Sequence, residues 1–323
     1  MRYVKLILVL LIIAGIVGVI AFGSFSSFSE PAPPSTRIEQ TPVELLDRPL
    51  ITAPVNDTHL TGGEYYDKNY EVIGHSVQGR ELQAHRFGTG PHTLIFVGTI
   101  HGGYEWNTAL LSYELIDHLR ANPQAVPSGI TVIVVPVANP DGLFKALHTT
   151  KRFGYSEGPR FAHLEDISPK SLTIEARYNA RNVDLNRNFD CKWQASATWA
   201  FPTNAGTSTF SEPEALALRD FLLTEKPEAV VFFHSASNGV YSSYCDSDPL
   251  PGTVALRDLY STASGYPPYD TYAHYTITGD AADWLSTRGI PAVTVELSAH
   301  DQVEWERNWP AIQKMFEYYS NVR

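Results

Sequence analysis

The sequence predicts an α/β fold with a mixed, mainly parallel central sheet flanked by helices. From Leu94 onward, short apolar runs alternate with helical patterns, which is typical of a parallel sheet covered by helices. These runs are rich in β-branched residues and lack polar alternation, as expected for strands buried on both faces. Two of them are followed directly by a histidine or glutamate, which places polar groups at one edge of the sheet.

The composition indicates a folded protein that does not bind nucleic acid. The chain has 323 residues, 43% of them hydrophobic, which suffices for one large core or at most two domains. Its formal net charge of −11 argues against a nucleic-acid partner, which requires a basic surface. Tyr, Phe and Trp are abundant, whereas a disordered chain has few aromatic residues.

The N-terminal region predicts export. Arg2 and Lys5 precede an apolar run from Leu6 to Phe22, which predicts a cytoplasmic N-terminus with the remainder outside. We interpret residues 1–24 as a signal-anchor or transmembrane segment; a cleaved signal and a buried core helix are the alternatives. Residues 25–62, rich in Ser, Pro and Thr, predict an extended linker, and residues 63–323 the folded domain.

The first elements are strands on either side of a helix. Residues 70–82 predict two strands joined by a tight turn at Gln78-Gly79. Residues 94–97 form the next strand, and leucines at helical spacing predict a helix over residues 106–119. Residues 131–138 predict another apolar strand.

The later part continues the alternation after a long interruption. Asn139-Pro140-Asp141-Gly142 predicts a turn, and residues 143–176 a long surface excursion. Ser211 is expected to cap a helix that has Pro213 in its first turn. The remaining predictions are strands over residues 229–233 and 291–295 and helices over residues 280–287 and 310–319.

Four residues at strand ends suggest a metal site. His101 and Glu105 lie between a strand and a helix, whereas His234 and Glu296 follow strands directly. Open α/β sheets bind ligands at the carboxyl ends of their strands. His101, Glu105 and His234 would leave one position open, as in catalytic zinc sites, and Glu296 is placed to move protons. A surface His–Glu pair and a core histidine bound to backbone are the alternatives.

Two further features have more than one interpretation. The segment from Arg177 to Phe189 contains three arginines, whose guanidinium groups bind carboxylates or stabilise oxyanions, although a solvated basic loop has the same composition. Cys191 and Cys245 are the two cysteines. In an exported protein they suggest a disulfide, and two buried thiols are the alternative.

Taken together, the motifs resemble those of the zinc carboxypeptidases of the carboxypeptidase A/B type. The resemblance extends from about Tyr65 to the C-terminus. It is based on the order and spacing of IGHSVQGREL, HGGYEW, PVANPDG, VDLNRNF, SEPEA, the strand ending in His234-Ser235, and TVEL at Glu296.

The resemblance implies one Zn²⁺ per chain and a role for each matched residue. The zinc ligands would be His101, Glu105 and His234, with Asp184 orienting the first histidine. Arg177 would polarise the scissile carbonyl, and Glu296 would act as general base and acid. The substrate's terminal carboxylate would be held by Asn186, Arg187 and the mobile Tyr275.

Two positions raise questions that the resemblance leaves open. The usual first motif is His-x-x-Glu, but one extra residue separates His101 from Glu105; a bulge at Gly102-Gly103 would accommodate it. Asp280 falls in the segment that lines the family's side-chain pocket. We hypothesise that it attracts a basic C-terminal side chain, the alternative being a helix N-cap.

These expectations predict an extracytoplasmic zinc metallocarboxypeptidase that hydrolyses the C-terminal peptide bond of peptides. The domain would be membrane-anchored, or secreted if the N-terminal segment is cleaved. One alternative is a peptidase of the same family acting at diaminopimelate in murein peptides. Others are an inactive peptide-binding relative and a zinc amidohydrolase acting on acylated amino acids.

Overall fold

A computed structural model describes residues 69–158, 172–198, 202–273 and 275–321. The predicted N-terminal anchor and linker therefore lie outside the described residues, as does most of the later half of the predicted excursion. Among the helices that are described, none combines the length and apolar character required to cross a membrane.

The described strands form a mixed eight-stranded sheet and a separate two-stranded one, which confirms the predicted architecture. The strands are β1 (Glu71–His75), β2 (Glu81–Gly88), β3 (His92–Val97), β4 (Ile130–Val135), β5 (Ser196–Thr198), β6 (Pro202–Asn204), β7 (Ala229–Ser235), β8 (Gly239–Ser242), β9 (Pro268–Tyr269) and β10 (Ala292–Leu297). The large sheet has the order β1-β2-β4-β3-β7-β10-β8-β9. Its central strands β4, β3, β7 and β10 run parallel.

Helices cover both faces of this sheet. They are α1 (Asn107–Ala121), α2 (Pro140–Leu147), α3 (Leu172–Glu175), α4 (Pro213–Glu225), α5 (Pro251–Ser264), α6 (Ala281–Ser286) and α7 (Trp305–Asn321). Alternate strand residues point to opposite faces, so each central strand contributes to two cores. Phe96 packs with α1, α5 and α7 on one face, and Ile95 packs with α4 and α6 on the other.

The carboxyl ends of the parallel strands meet at one edge of the sheet. His234 on β7 is paired in register with Glu296 on β10, and Val97 at the end of β3 is paired with Phe232. Neighbours in register on parallel strands point to the same side of a sheet. The topology therefore brings residues separated by up to two hundred positions to one place, as the strand-end pattern predicted.

Some predicted boundaries are wrong for identifiable reasons. The predicted turn at Asn139-Pro140-Asp141-Gly142 is instead the start of α2: the Asn139 side chain accepts a hydrogen bond from Gly142 N at 2.8 Å, with Pro140 at the first helical position. Asn and Pro favour both turns and helix starts. Glu212, and not Ser211, occupies the N-cap position of α4. The last helix begins at Trp305, before Pro310.

Candidate active site

The turn after β3 accommodates the extra residue between His101 and Glu105. Gly102 has a φ of +52°, and residues Gly102–Glu105 form a single turn of 3-10 helix before α1. A Cβ atom at Gly102 would lie 2.4 Å from Ala176 O, so the turn requires glycine for space as well as for conformation. This turn accommodates the extra residue and brings His101 Nδ1 within 2.7 Å of Glu105 Oε1.

The three predicted metal ligands converge at the sheet edge. His101, Glu105 and His234 are buried, and one ligand atom from each lies within 4.8 Å of the others. His234 Nδ1 lies 3.1 Å from His101 Nδ1 and 3.0 Å from Glu105 Oε2. Burial raises the pKa of Glu105, but the charges and hydrogen bonds of the two histidines outweigh it and hold that pKa below its usual range.

This donor set fits a zinc ion. Its facing atoms are Nδ1 of His101, Nδ1 of His234 and the two Glu105 carboxylate oxygens, and the two ring nitrogens lie 3.1 Å apart. Facing imidazole nitrogens and a carboxylate oxygen present lone pairs to one another, which a cation between them would satisfy. Two nitrogens and one oxygen are the ligand types of catalytic zinc sites.

Asp184 and Arg177 form a buried ion pair behind His101. Arg177 Nε donates to Asp184 Oδ2 at 2.8 Å, and Arg177 Nη2 lies 2.7 Å from His101 Nε2. Asp184 Oδ1 is 3.5 Å from the same His101 nitrogen. Burial raises the pKa of Asp184, but the positive charges of Arg177 and His101 hold it well below its usual range. Asp184 is thus placed to orient the imidazole.

Glu296 lies beside this cluster with a perturbed pKa. Burial, and next the negative charge of Glu105, raise the pKa of Glu296 to about 8. Ser237 N donates a hydrogen bond to Glu296 Oε2 at 3.1 Å, which holds the carboxyl group at the sheet edge. Such a group can accept and return a proton near neutral pH.

The predicted carboxylate-binding residues form a second cluster. Arg187 is 2% exposed, and its Nη2 lies 3.3 Å from the hydroxyl of Tyr275. Asn186 Nδ2 donates to Asp280 Oδ2 at 2.7 Å, and Asn186 Oδ1 accepts from Ala281 N at 3.0 Å. One N–H of the Asn186 amide group thus stays available.

Asp280 is the N-cap of α6, the alternative role considered above. Its Oδ1 accepts from Asp283 N at 2.9 Å, and its Oδ2 binds Asn186. Both oxygens are therefore engaged within the chain. Attraction of a basic substrate side chain by Asp280 stays a prediction.

The sequence analysis missed several aromatic neighbours of the site. Tyr104 packs edge-on against His300, with ring centroids 4.7 Å apart, and the Arg177 guanidinium lies 5.5 Å from the Tyr104 ring centre. Tyr272 packs against Tyr275 at 4.9 Å. Tyr104 lies within the HGGYEW motif, and Tyr272 lies in a tyrosine-rich stretch, so motif position and composition were the available signals.

The structure joins Cys191 and Cys245 by a disulfide. Their Cα atoms are 5.8 Å apart, within the usual range for such a bond. The bond lies close to the second cluster, because Gly279 N, next to Asp280, donates to Cys191 O at 2.7 Å.

Comparison with known proteins agrees with this geometry. The family model described as zinc carboxypeptidase matches residues 68–316, most of the chain. The chain belongs to the zinc carboxypeptidase family. This confirms the resemblance inferred from the motifs. Zinc is the family's metal, and the group of His101, Glu105 and His234 suits it.

Individual relatives are distant. The chain is 25% identical over 255 residues to gamma-D-glutamyl-L-diamino acid endopeptidase 1 of Lysinibacillus sphaericus, covering 70% of this chain and 60% of that protein. It is 25% identical over 248 residues to human carboxypeptidase A6, covering 68% of this chain and 52% of that one. The matched region thus spans only about half to three-fifths of these relatives.

Solved structures share the fold. Bovine thrombin-activatable fibrinolysis inhibitor, solved with tick carboxypeptidase inhibitor, superposes with a TM-score of 0.60 at 18% identity, covering 78% of this chain and 90% of that one. The murein-tripeptide amidase of Escherichia coli O157 gives a TM-score of 0.52 at 21% identity, covering 77% and 91%. At these identities the similarity concerns the fold alone.

Proposed function

We propose that this protein is an extracytoplasmic zinc carboxypeptidase that removes the C-terminal residue of peptides. Family membership supplies the hydrolase class. The proposed specificity for a free C-terminus depends on the second cluster.

The observation that carries the proposal is the state of Arg187. Its guanidinium group is almost fully buried and donates to Asn186 O at 2.7 Å and to the Tyr275 hydroxyl at 3.3 Å, but it forms no ion pair with a carboxylate of the described residues. Its Nε is buried without a hydrogen-bond partner in the described part of the chain. A buried, unpaired guanidinium is costly, and a carboxylate brought by the substrate would form the missing bidentate pair. Tyr275 and Asn186 are placed to complete this contact.

Holding the carboxylate at Arg187 would orient the last peptide bond toward His101, Glu105 and His234. A zinc ion held by these three residues would polarise the scissile carbonyl and make a water molecule easier to deprotonate. Arg177, beside His101, would stabilise the negative charge that develops on the carbonyl oxygen.

Glu296 would move the proton in this reaction. Its carboxylate would take a proton from the attacking water and return it to the departing amine. A pKa raised toward neutrality suits a group that must both accept and donate. Asp184 would hold His101 in the orientation that the metal requires.

The location outside the cytoplasm is part of the proposal. The N-terminal charge pattern supports export, with either an anchor or a cleaved signal. The Cys191–Cys245 disulfide also suits an oxidising compartment. Two reporter fusions after residue 323 test this proposal, one with a reporter that is active only outside the cytoplasm and one with a reporter that is active only inside it. Activity of the first fusion alone is expected. Activity of the second fusion alone would contradict the proposal.

The activity test compares peptides with a free C-terminus with the same peptides amidated at the C-terminus. We expect release of the last residue from the free peptides only, because an amide cannot pair with Arg187. Equal cleavage of both forms, or internal cleavage, would contradict the carboxypeptidase proposal.

A second candidate is a peptidase acting at diamino acids in murein peptides. Asp280 and Asp283 are both buried beside the carboxylate-binding residues, and burial together with the charge of Asp280 holds the pKa of Asp283 well above its usual range. A cationic group of the substrate would offset the negative charge of these two carboxyl groups. The relative from Lysinibacillus sphaericus, named for a diamino acid, agrees with this possibility. Faster cleavage of a γ-D-glutamyl-diaminopimelate peptide than of any ordinary peptide would favour it.

A further inference from the structure

The carboxylate-binding residues are positioned by one short stretch, Gly279–Asp283. Asn186 exchanges two hydrogen bonds with this stretch, at 2.7 Å to Asp280 and 3.0 Å from Ala281 N. Gly279, with a φ of +68°, packs directly on the backbone of Arg187: a Cβ atom there would lie 2.1 Å from Arg187 O. Any movement of this stretch would therefore move Asn186 and Arg187.

Both halves of the disulfide hold this same stretch. On one side, Gly279 N donates to Cys191 O at 2.7 Å, and Phe189 N donates to Gly279 O at 3.0 Å. On the other, the backbone N–H of Tyr244, the neighbour of Cys245, donates to Asp283 Oδ1 at 3.0 Å. The Cys191–Cys245 bond therefore connects the residue that contacts Gly279, at one end of the stretch, with the segment that contacts Asp283, at the other end.

We infer that the Cys191–Cys245 disulfide is a positioning element for the substrate's terminal carboxylate. The inference rests on the proposed function, since it concerns the same site. The two sulfur-bearing residues are buried, 2% and 5% exposed, and lie among the contacts described above. Without the bond, the described links between the segment at Tyr244 and this region would be the hydrogen bond to Asp283 and the contact of Lys192 Nζ, 4.7 Å from the Tyr244 ring centre.

The metal ligands lie on elements that the disulfide does not join, and among the described residues their one link to the carboxylate-binding residues is Asp184, which accepts from Asn186 N at 3.0 Å. His234 lies on the central strand β7, and His101 is fixed by Arg177 and Asp184. Loss of the disulfide should therefore affect substrate binding more than the chemical step. We expect KM to rise about tenfold, the change expected when a charge-assisted hydrogen bond is weakened, with kcat within about twofold. Zinc content should stay unchanged.

The test removes both cysteines as Cys191→Ala with Cys245→Ala. Discrimination, the ratio of kcat/KM for a free peptide to that for its amide, should fall about tenfold. The control is Ile312→Val, a core substitution in α7 that lowers stability on the opposite face of the sheet. It should leave the discrimination ratio unchanged. An unchanged ratio in the double variant would overturn the inference.

A second measurement separates this inference from the proposed function. Calorimetric titration with free amino acids and their C-terminal amides, which have no acylated nitrogen to release, measures carboxylate binding without peptide hydrolysis. Wild type should bind only the free acids, and the double variant should bind them about tenfold more weakly. Equal affinity in both proteins would overturn the inference even if peptides are cleaved. Wild type that binds acids and amides alike would contradict the carboxylate site itself.

A third variant covers failure of the double variant to fold. Asp283→Ala keeps the disulfide but removes the hydrogen bond that Tyr244 N donates to the Asp283 carboxylate. This variant should therefore also raise KM. An unchanged KM in Asp283→Ala would overturn the inference even if the double cysteine variant does not fold. Where that variant folds, adding its substitutions to Asp283→Ala should raise KM little further, because both changes break one connected set of contacts. If the factors by which Asp283→Ala and the cysteine substitutions raise KM multiply in the combined variant, a shared positioning role would be contradicted.

Discussion

Replacing Arg187 by glutamine tests the proposed recognition of a free C-terminus. Arg187 is 2% exposed and forms no ion pair with the described carboxylates, so the substrate's carboxylate would be its charged partner. Removing one partner of a buried charged pair costs about 3–5 kcal/mol, and each 1.4 kcal/mol is about tenfold. We therefore expect kcat/KM for free peptides to fall about 10²–10³-fold in Arg187→Gln.

The assay is release of the last residue from a free peptide and from its C-terminal amide. Amide cleavage should change less than about tenfold, because an amide makes no charged pair with Arg187. Arg181→Gln is the matched control: its side chain is 54% exposed and lies 3.6 Å from Glu212, and an exposed pair contributes little. Equal losses for the free and amidated peptides in Arg187→Gln would refute the assigned role.

Three further predictions concern the metal site and stability. Asp184→Asn weakens the polar support of His101 and should lower zinc affinity about 10–100-fold in competition with a chelator; unchanged affinity would contradict the orienting role. Gly102→Ala forces a side chain onto Ala176 O at positive φ and should lower the free energy of unfolding in urea by about 2 kcal/mol or more. Burial, with nearby acids, raises the pKa of Glu114 from 4.5 to about 7. As pH rises, the unfolded chain loses this proton before the folded chain does, so wild-type stability should fall between these two pH values. The fall should be about 1–2 kcal/mol for this partly exposed group, and Glu114→Gln should remove it. Parallel pH profiles of stability for the two proteins would contradict the prediction.

Much of the fold and the position of the site could be predicted from sequence. Buried parallel strands have a distinct apolar signature, and a polar residue at the end of such a strand is costly unless it has a partner or a function. His234 and Glu296 were recognised in this way, and their pairing in register followed from the parallel sheet.

Other features depend on contacts that no local pattern records. Strands β8 and β9 have four and two residues, too short for a periodic signal. Asn139-Pro140 favours a turn and a helix start alike, and only packing decides between them. The hydrogen bond between Asn186 and Asp280 joins residues 94 positions apart, so the support that Asp280 gives to Asn186 appeared only in the structure, whereas its N-cap role was one of the two predicted from the sequence.

The most direct test of a zinc carboxypeptidase is to measure bound zinc and peptide hydrolysis in the same preparations of wild type and Glu296→Gln. We predict one zinc per chain in both proteins and release of the C-terminal residue by wild type alone. Glu296 moves protons in this account without binding the metal, so zinc should persist when activity is lost. A wild-type protein without zinc, or a Glu296→Gln variant as active as wild type, would contradict the account.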